Sequence, residues 1–91
     1  MARIAQKIRV TGRVQGVFFR DSTRRQAEAG RLTGYAANLD DGSVEILLQG
    51  SPEAVEKVLQ WIKAGGPPAA RVESVTDVSC IFQETGGFTV R

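Results

Sequence analysis

The chain has 91 residues, room for a single domain over 1–91 with one modest core. Its 42% apolar and 24% charged residues belong to a folded domain, and a net charge of +2 is too weak to argue for nucleic acid. A lone cysteine and no histidine exclude an internal disulfide, a cysteine-based zinc cluster and any imidazole base or metal ligand.

Residues 3–11 alternate, with Ile4, Ile8 and Val10 on one side and Arg3, Lys7, Arg9 and Thr11 on the other, the period of a half-buried strand. A glycine-bounded loop, Gly12 to Arg20, follows. From Asp21 to Ala29 the composition is helical, with Asp21 or Ser22 as N-cap, Phe19, Thr23 and Ala27 as the buried stripe, and Gly30 as the stop. Tyr35 to Ala37 make a weak strand. Asp40-Asp41-Gly42 is a turn signal and Val44, Ile46 and Leu48 alternate beyond it, so the pair reads as a hairpin. Ser51-Pro52-Glu53 starts a second helix with Ala54, Val55, Val58, Leu59 and Ile62 on one face, Trp61 at its flank, and Gly65-Gly66-Pro67-Pro68 as its end. A strand from Val72 to Phe82 is expected, clearest at Val78, Cys80 and Phe82, with Cys80 as a small buried hydrophobe. Gly86-Gly87 turns into a short strand, Phe88 to Val90.

This order, β-α-β-β-α-β plus a short strand, predicts an α+β, ferredoxin-like split βαβ sandwich, with two helices covering one face of an antiparallel sheet. No apolar run is long enough to span a bilayer, and Met1 to Lys7 lack the apolar stretch of a secretory signal. A cytoplasmic monomer without a membrane partner is the expectation.

The loop carries the chemistry. Glycines at both ends let its backbone N–H groups turn inward as an anion nest, and the helix that follows adds unpaired donors and partial positive charge. Arg20 contributes a planar fork of donors, although the helix macrodipole disfavours a cation there. A phosphate group would offset that misfit.

Two segments then stand together: Val10-Thr11-Gly12-Arg13-Val14-Gln15-Gly16-Val17-Phe18-Phe19-Arg20, and Gly34-Tyr35-Ala36-Ala37-Asn38 followed by Asp40-Asp41-Gly42-Ser43-Val44 and Gly50. In order and separation they resemble the signature motifs of the acylphosphatase family, and the resemblance covers nearly the whole chain, Gly66-Pro67 included. It implies hydrolysis of acyl phosphates to a carboxylate and inorganic phosphate, with no metal and no cofactor. It also implies that Arg20 and the backbone N–H groups of Gln15, Gly16, Val17, Phe18, Phe19 and Arg20 hold the phosphate, and that Asn38 orients the attacking water. Two positions depart from the family pattern: Ala37 is small where many members carry a longer, often basic side chain, and Arg31 follows Gly30 where many members place the glycine.

Elementary chemistry agrees with the implied activity. A carboxylate leaving group has a conjugate-acid pKa near ~4 and departs unprotonated, so the missing histidine is no obstacle. Two other classes share the fold order. An RNA-recognition module needs base-stacking aromatics in its central strands, and Val44 to Leu48 has none. A non-catalytic anion-binding domain would bind phosphate without turnover.

Overall fold

Alternation decides which face of the sheet is buried. Strand β1 (Ile4–Arg13) puts Ile8 and Val10 into the core, and β3 (Val44–Gly50) lays Ile46 and Val44 directly beside them in antiparallel register. The computed structural model describes residues 2–91. Strand β2 (Thr33–Asn38) pairs antiparallel with β3, and β4 (Arg71–Val78) antiparallel with β1. The short β5 (Phe88–Val90) runs parallel to β2 and adds an edge to the antiparallel sheet, giving the order β4-β1-β3-β2-β5.

Both helices pack on the face that carries Ile8, Val10, Val44, Ile46 and Leu48. Helix α1 (Phe19–Ala29) buries Phe19, Thr23 and Ala27, one residue every fourth position. Helix α2 (Pro52–Lys63) buries Val55, Val58, Leu59 and Ile62. Its start follows the sequence closely, since Ser51 Oγ accepts from the Ala54 N–H at 3.3 Å, Pro52 takes the first turn and Glu53 complements the dipole.

Three expectations are corrected. Helix α1 begins at Phe19, not Asp21, and its N-cap is Phe18, which makes no side-chain cap bond. The left-handed turn at Phe18 already aims the chain along the helix axis, so Asp21 becomes a first-turn acid and pairs with Arg24 and Arg25 at 2.6 and 3.1 Å. Strand β4 ends at Val78, short of Phe82. The chain must leave β4 at one edge of the sheet to reach β5 at the other, so residues 79–87 cross the face turned away from the helices. That crossing is clipped to the fully buried Gln49, whose amide accepts from the Gln83 N–H at 2.7 Å and donates to its carbonyl at 2.8 Å. Cys80, expected in a buried strand position, is therefore only half-buried, and Ile81 stays 80% exposed.

Helix α1 ends at Ala29, and Gly30 is its cap. The left-handed position falls one residue later, on Arg31 at φ 57°. Arg31→Gly is expected to stabilise the fold by about 0.5–1 kcal/mol, the relieved left-handed strain less the added freedom of the unfolded chain. That corresponds to a rise in Tm of roughly 2–8 °C. An unchanged or lower Tm in a calorimetric scan would show that the arginine side chain contributes more than its backbone costs.

Candidate active site

The end of β1, the start of α1, the end of β2 and the end of β5 meet at one edge of the molecule. Between the first two runs the loop 14–18, whose side chains alternate between core and solvent. Val14 and Val17 are buried pegs, and Phe19 at the helix start is buried as well. The Phe19 ring packs against Gly66 so closely that a Cβ there would stand 2.8 Å from it, and against Trp61 with ring centroids 6.1 Å apart. Burying such a ring stabilises by about 1.5–3 kcal/mol, which pins the loop to the core at its far end.

Between the pegs the backbone curls. Gly16 lies at φ 75° and Phe18 at φ 60°. A glycine takes that conformation without strain, and two left-handed residues in so short a stretch turn successive N–H groups toward one concavity. Among the described residues, no protein acceptor takes the N–H groups of Gln15, Gly16, Val17 or Phe18. The helix adds those of Phe19, Arg20 and Asp21, since the first helical bond is from the Ser22 N–H to the Phe18 carbonyl at 3.0 Å. A hollow of about 350 Å³ lies against this stretch, lined by Val14, Gly16, Phe18, Phe19, Arg20, Asp21 and Val90. A larger groove of about 660 Å³, between the end of α1 and the start of α2, has Lys57 as its single cation and no glycine-bounded loop.

Arg20 is half-buried and turned toward β5, where its Nη1 donates to the main-chain oxygen of Arg91 at 2.5 Å. The Asn38 N–H donates to that same oxygen at 3.3 Å, and the Arg91 N–H donates back to the Ala36 carbonyl at 2.8 Å. One backbone oxygen thus ties the arginine of the first motif to the asparagine of the second. The other guanidinium donors remain for a ligand. The Asn38 side chain is exposed and takes part in no hydrogen bond among the described residues.

The residue carrying that oxygen is itself held. The Arg91 guanidinium lies over the Tyr35 ring, 4.0 Å from its centroid, and the Tyr35 hydroxyl donates to Glu45 Oε2 at 2.7 Å. Burial, followed by the hydrogen bond to Glu45, pushes the Tyr35 phenol above its ordinary pKa, so the ring stays neutral beneath the cation.

Gln15 does more than lend its N–H. Its Nε2 donates to the carbonyls of Leu39 and Ser43, both at 2.9 Å, and so braces the loop against the residue after Asn38. The turn beyond is fixed by Asp41, whose Oδ1 accepts from the Ser43 N–H and hydroxyl at 2.9 and 2.5 Å. Those bonds, the hydroxyl first, hold the Asp41 carboxyl below its usual pKa. Asp40 and Asp41 thus belong to a turn. Among the described residues no three His, Cys, Asp or Glu side chains converge as a metal site.

The structure therefore brings Gly16, Phe18, Phe19 and Arg20 to one hollow, ties Asn38 to Arg20 through its backbone N–H and Gln15 to the residue after Asn38, and leaves Val17 contributing backbone while its side chain enters the core. Arg91 and the bracing role of the Gln15 side chain went unanticipated. No local signal marks Arg91. Gln15 carries one, a polar residue set between the core pegs Val14 and Val17.

Comparison with known proteins agrees with this geometry. The family model described as acylphosphatase matches residues 6–89. A protein named acylphosphatase from Photorhabdus laumondii is 44% identical over 91 residues, all of this chain and 99% of its own length. Another of that name, from Yersinia pseudotuberculosis, is 53% identical over 73 residues, 80% of this chain and 79% of its own. The solved structure of an acylphosphatase from Coxiella burnetii superposes with a TM-score of 0.89 at 36% identity, covering 98% of this chain and 93% of that one. With both motifs meeting at one edge of the matching fold, the chain belongs to the acylphosphatase family.

Proposed function

We propose that the enzyme cleaves the carboxyl–phosphate bond of small acyl phosphates without a metal, acting as a cytoplasmic monomer on a small-molecule substrate. The loop N–H groups of Gln15 to Arg20 and the Arg20 guanidinium hold the phosphoryl group. The Asn38 amide oxygen accepts a proton of the attacking water and so aims its lone pair at phosphorus. Phosphoryl transfer depends mainly on positioning and on neutralising the charge of the phosphoryl oxygens, and this donor set supplies both. Water adds to phosphorus as the P–O bond to the acyl group breaks, and the bonding pair leaves on the carboxylate. The proton of the water passes to a phosphate oxygen, since Asp21, the one carboxylate lining the hollow, is held by Arg24 and Arg25.

The observation that carries the reading is the shared Arg91 oxygen, which joins Arg20 to the Asn38 backbone beside a loop whose N–H groups have no other acceptor among the described residues. No helix among the described residues is long and apolar enough to cross a membrane.

The test is chemical selectivity in EDTA. Benzoyl phosphate is expected to turn over, whereas an alkyl phosphate, whose alkoxide needs a proton donor to leave, is expected to react at least roughly 10²-fold more slowly, the scale of one missing general acid. Comparable rates on the two substrates would sink the mechanism. Loss of benzoyl phosphate hydrolysis on chelation would sink its metal independence.

A further inference from the structure

Phe18 is poorly explained by the fold. Its ring is 82% exposed, its backbone lies at φ 60° and ψ 24°, and it occupies the N-cap of α1. A large side chain is strained in that region, an exposed ring gives up burial, and the cap position favours Ser, Thr, Asp or Asn. All three preferences are violated at one residue.

What the ring does is divide two hollows. On one side lies the hollow of about 350 Å³ with Gly16, Arg20 and Val90, against the loop proposed to hold phosphate. On the other lies one of about 380 Å³ whose apolar walls are Val17, Phe18, Pro67, Pro68 and Ala69, and whose polar side is Asp21, Ser22 and Arg25. Arg25 shares the Asp21 carboxylate with Arg24, at 3.1 and 2.6 Å, so this cluster keeps one unmatched positive charge.

The two hollows face opposite edges of the sheet. Asn38 and Val90 belong to β2 and β5 at one edge, whereas Pro67 to Ala69 lead into β4 at the other. In an in-line displacement the nucleophile and the leaving group lie on opposite sides of phosphorus. Water set by Asn38 therefore directs the departing carboxylate toward the proline-lined hollow, past the Phe18 ring.

We infer that Phe18 and the Pro67-Pro68 turn form the acyl-group subsite, and that Phe18 is a specificity-determining residue favouring acyl phosphates with an aromatic acyl group. The inference rests on the proposed hydrolysis. An aromatic acyl ring packs on Phe18, and an acetyl group is too small to use it.

The experiment compares kcat/KM for benzoyl phosphate and acetyl phosphate in the wild type, Phe18→Ala, Phe18→Asn and Phe18→Tyr. The benzoyl-to-acetyl ratio is expected to fall about five- to tenfold in the alanine and asparagine variants, through KM for benzoyl phosphate, and to return in the tyrosine variant. Asparagine accepts the left-handed backbone readily, so it separates loss of the ring from disturbance of the loop. An unchanged ratio in Phe18→Asn would overturn the subsite. A wild type that hydrolyses neither substrate would instead overturn the proposed function, and this inference with it.

Discussion

Arg20→Ala is expected to abolish acyl phosphate hydrolysis and inhibition by inorganic phosphate together, while the domain stays folded. The size of the loss follows from the role. An arginine that stabilises a transferring phosphoryl group is worth roughly 10³–10⁵ in rate, so kcat/KM should fall by at least the lower figure. Stability should barely change. The side chain is half-buried and makes a single hydrogen bond, to the Arg91 oxygen, worth about 1.5 kcal/mol, the low end for a charged donor because the bond faces solvent. Against that loss stands relief of the unfavourable cation in the first turn of α1. Arg20→Lys keeps the charge without the planar fork and should recover only part of the rate. Thermal melts beside steady-state rates on benzoyl phosphate make the check, and a folded Arg20→Ala enzyme with unaltered phosphate inhibition would reject the assignment.

Asn38→Ala is expected to divide the two properties that Arg20 joins. In the proposed mechanism its amide serves the water and not the phosphate, so kcat should fall by roughly 10²–10³, the scale of one preorganised polar group, while phosphate inhibits as before. The fold has little reason to notice. The Asn38 side chain is exposed, and the bond to the Arg91 oxygen comes from its backbone N–H, which alanine keeps. A variant that loses phosphate inhibition along with turnover would move Asn38 into the phosphate cradle. One with normal turnover would remove it from the reaction.

Elements whose structure is decided by neighbours in the chain were legible beforehand. Ser51, Pro52 and Glu53 each favour a helix start for a local reason, and Val44, Ile46 and Leu48 alternate, broken only by the apolar Leu47 between the last two. The misjudged boundaries answer to distant demands. Val78, Cys80 and Phe82 keep the period of a strand, yet the place of β5 at the opposite edge of the sheet takes the chain out of register after Val78. The start of α1 was hidden because the loop ends with an aromatic residue in a backbone conformation that small residues prefer.

The site shows the same division. Gly12, Gly16, Arg20 and Asn38 form a pattern in the sequence, and the resemblance it carries agrees with the family to which the chain belongs. Their supports do not. Gln15 reaches carbonyls 24 and 28 residues further on, and Arg20 meets an oxygen 71 residues away, so neither contact has a periodicity or a cap to announce it.

The Arg91 oxygen has a further consequence, for how function and fold respond to heat. It is positioned by the shortest strand of the sheet, three residues in β5, anchored by one buried side chain, Phe88. Opening a proteins's edge segment locally takes less free energy than unfolding its core. When β5 lifts away from β2, Arg20 and the Asn38 backbone lose their common partner while the layer of Ile8, Val10, Ile46 and Leu48 remains packed beneath the helices. The proposed site is therefore held less firmly than the domain that carries it, and activity is expected to fall on warming before the fold melts.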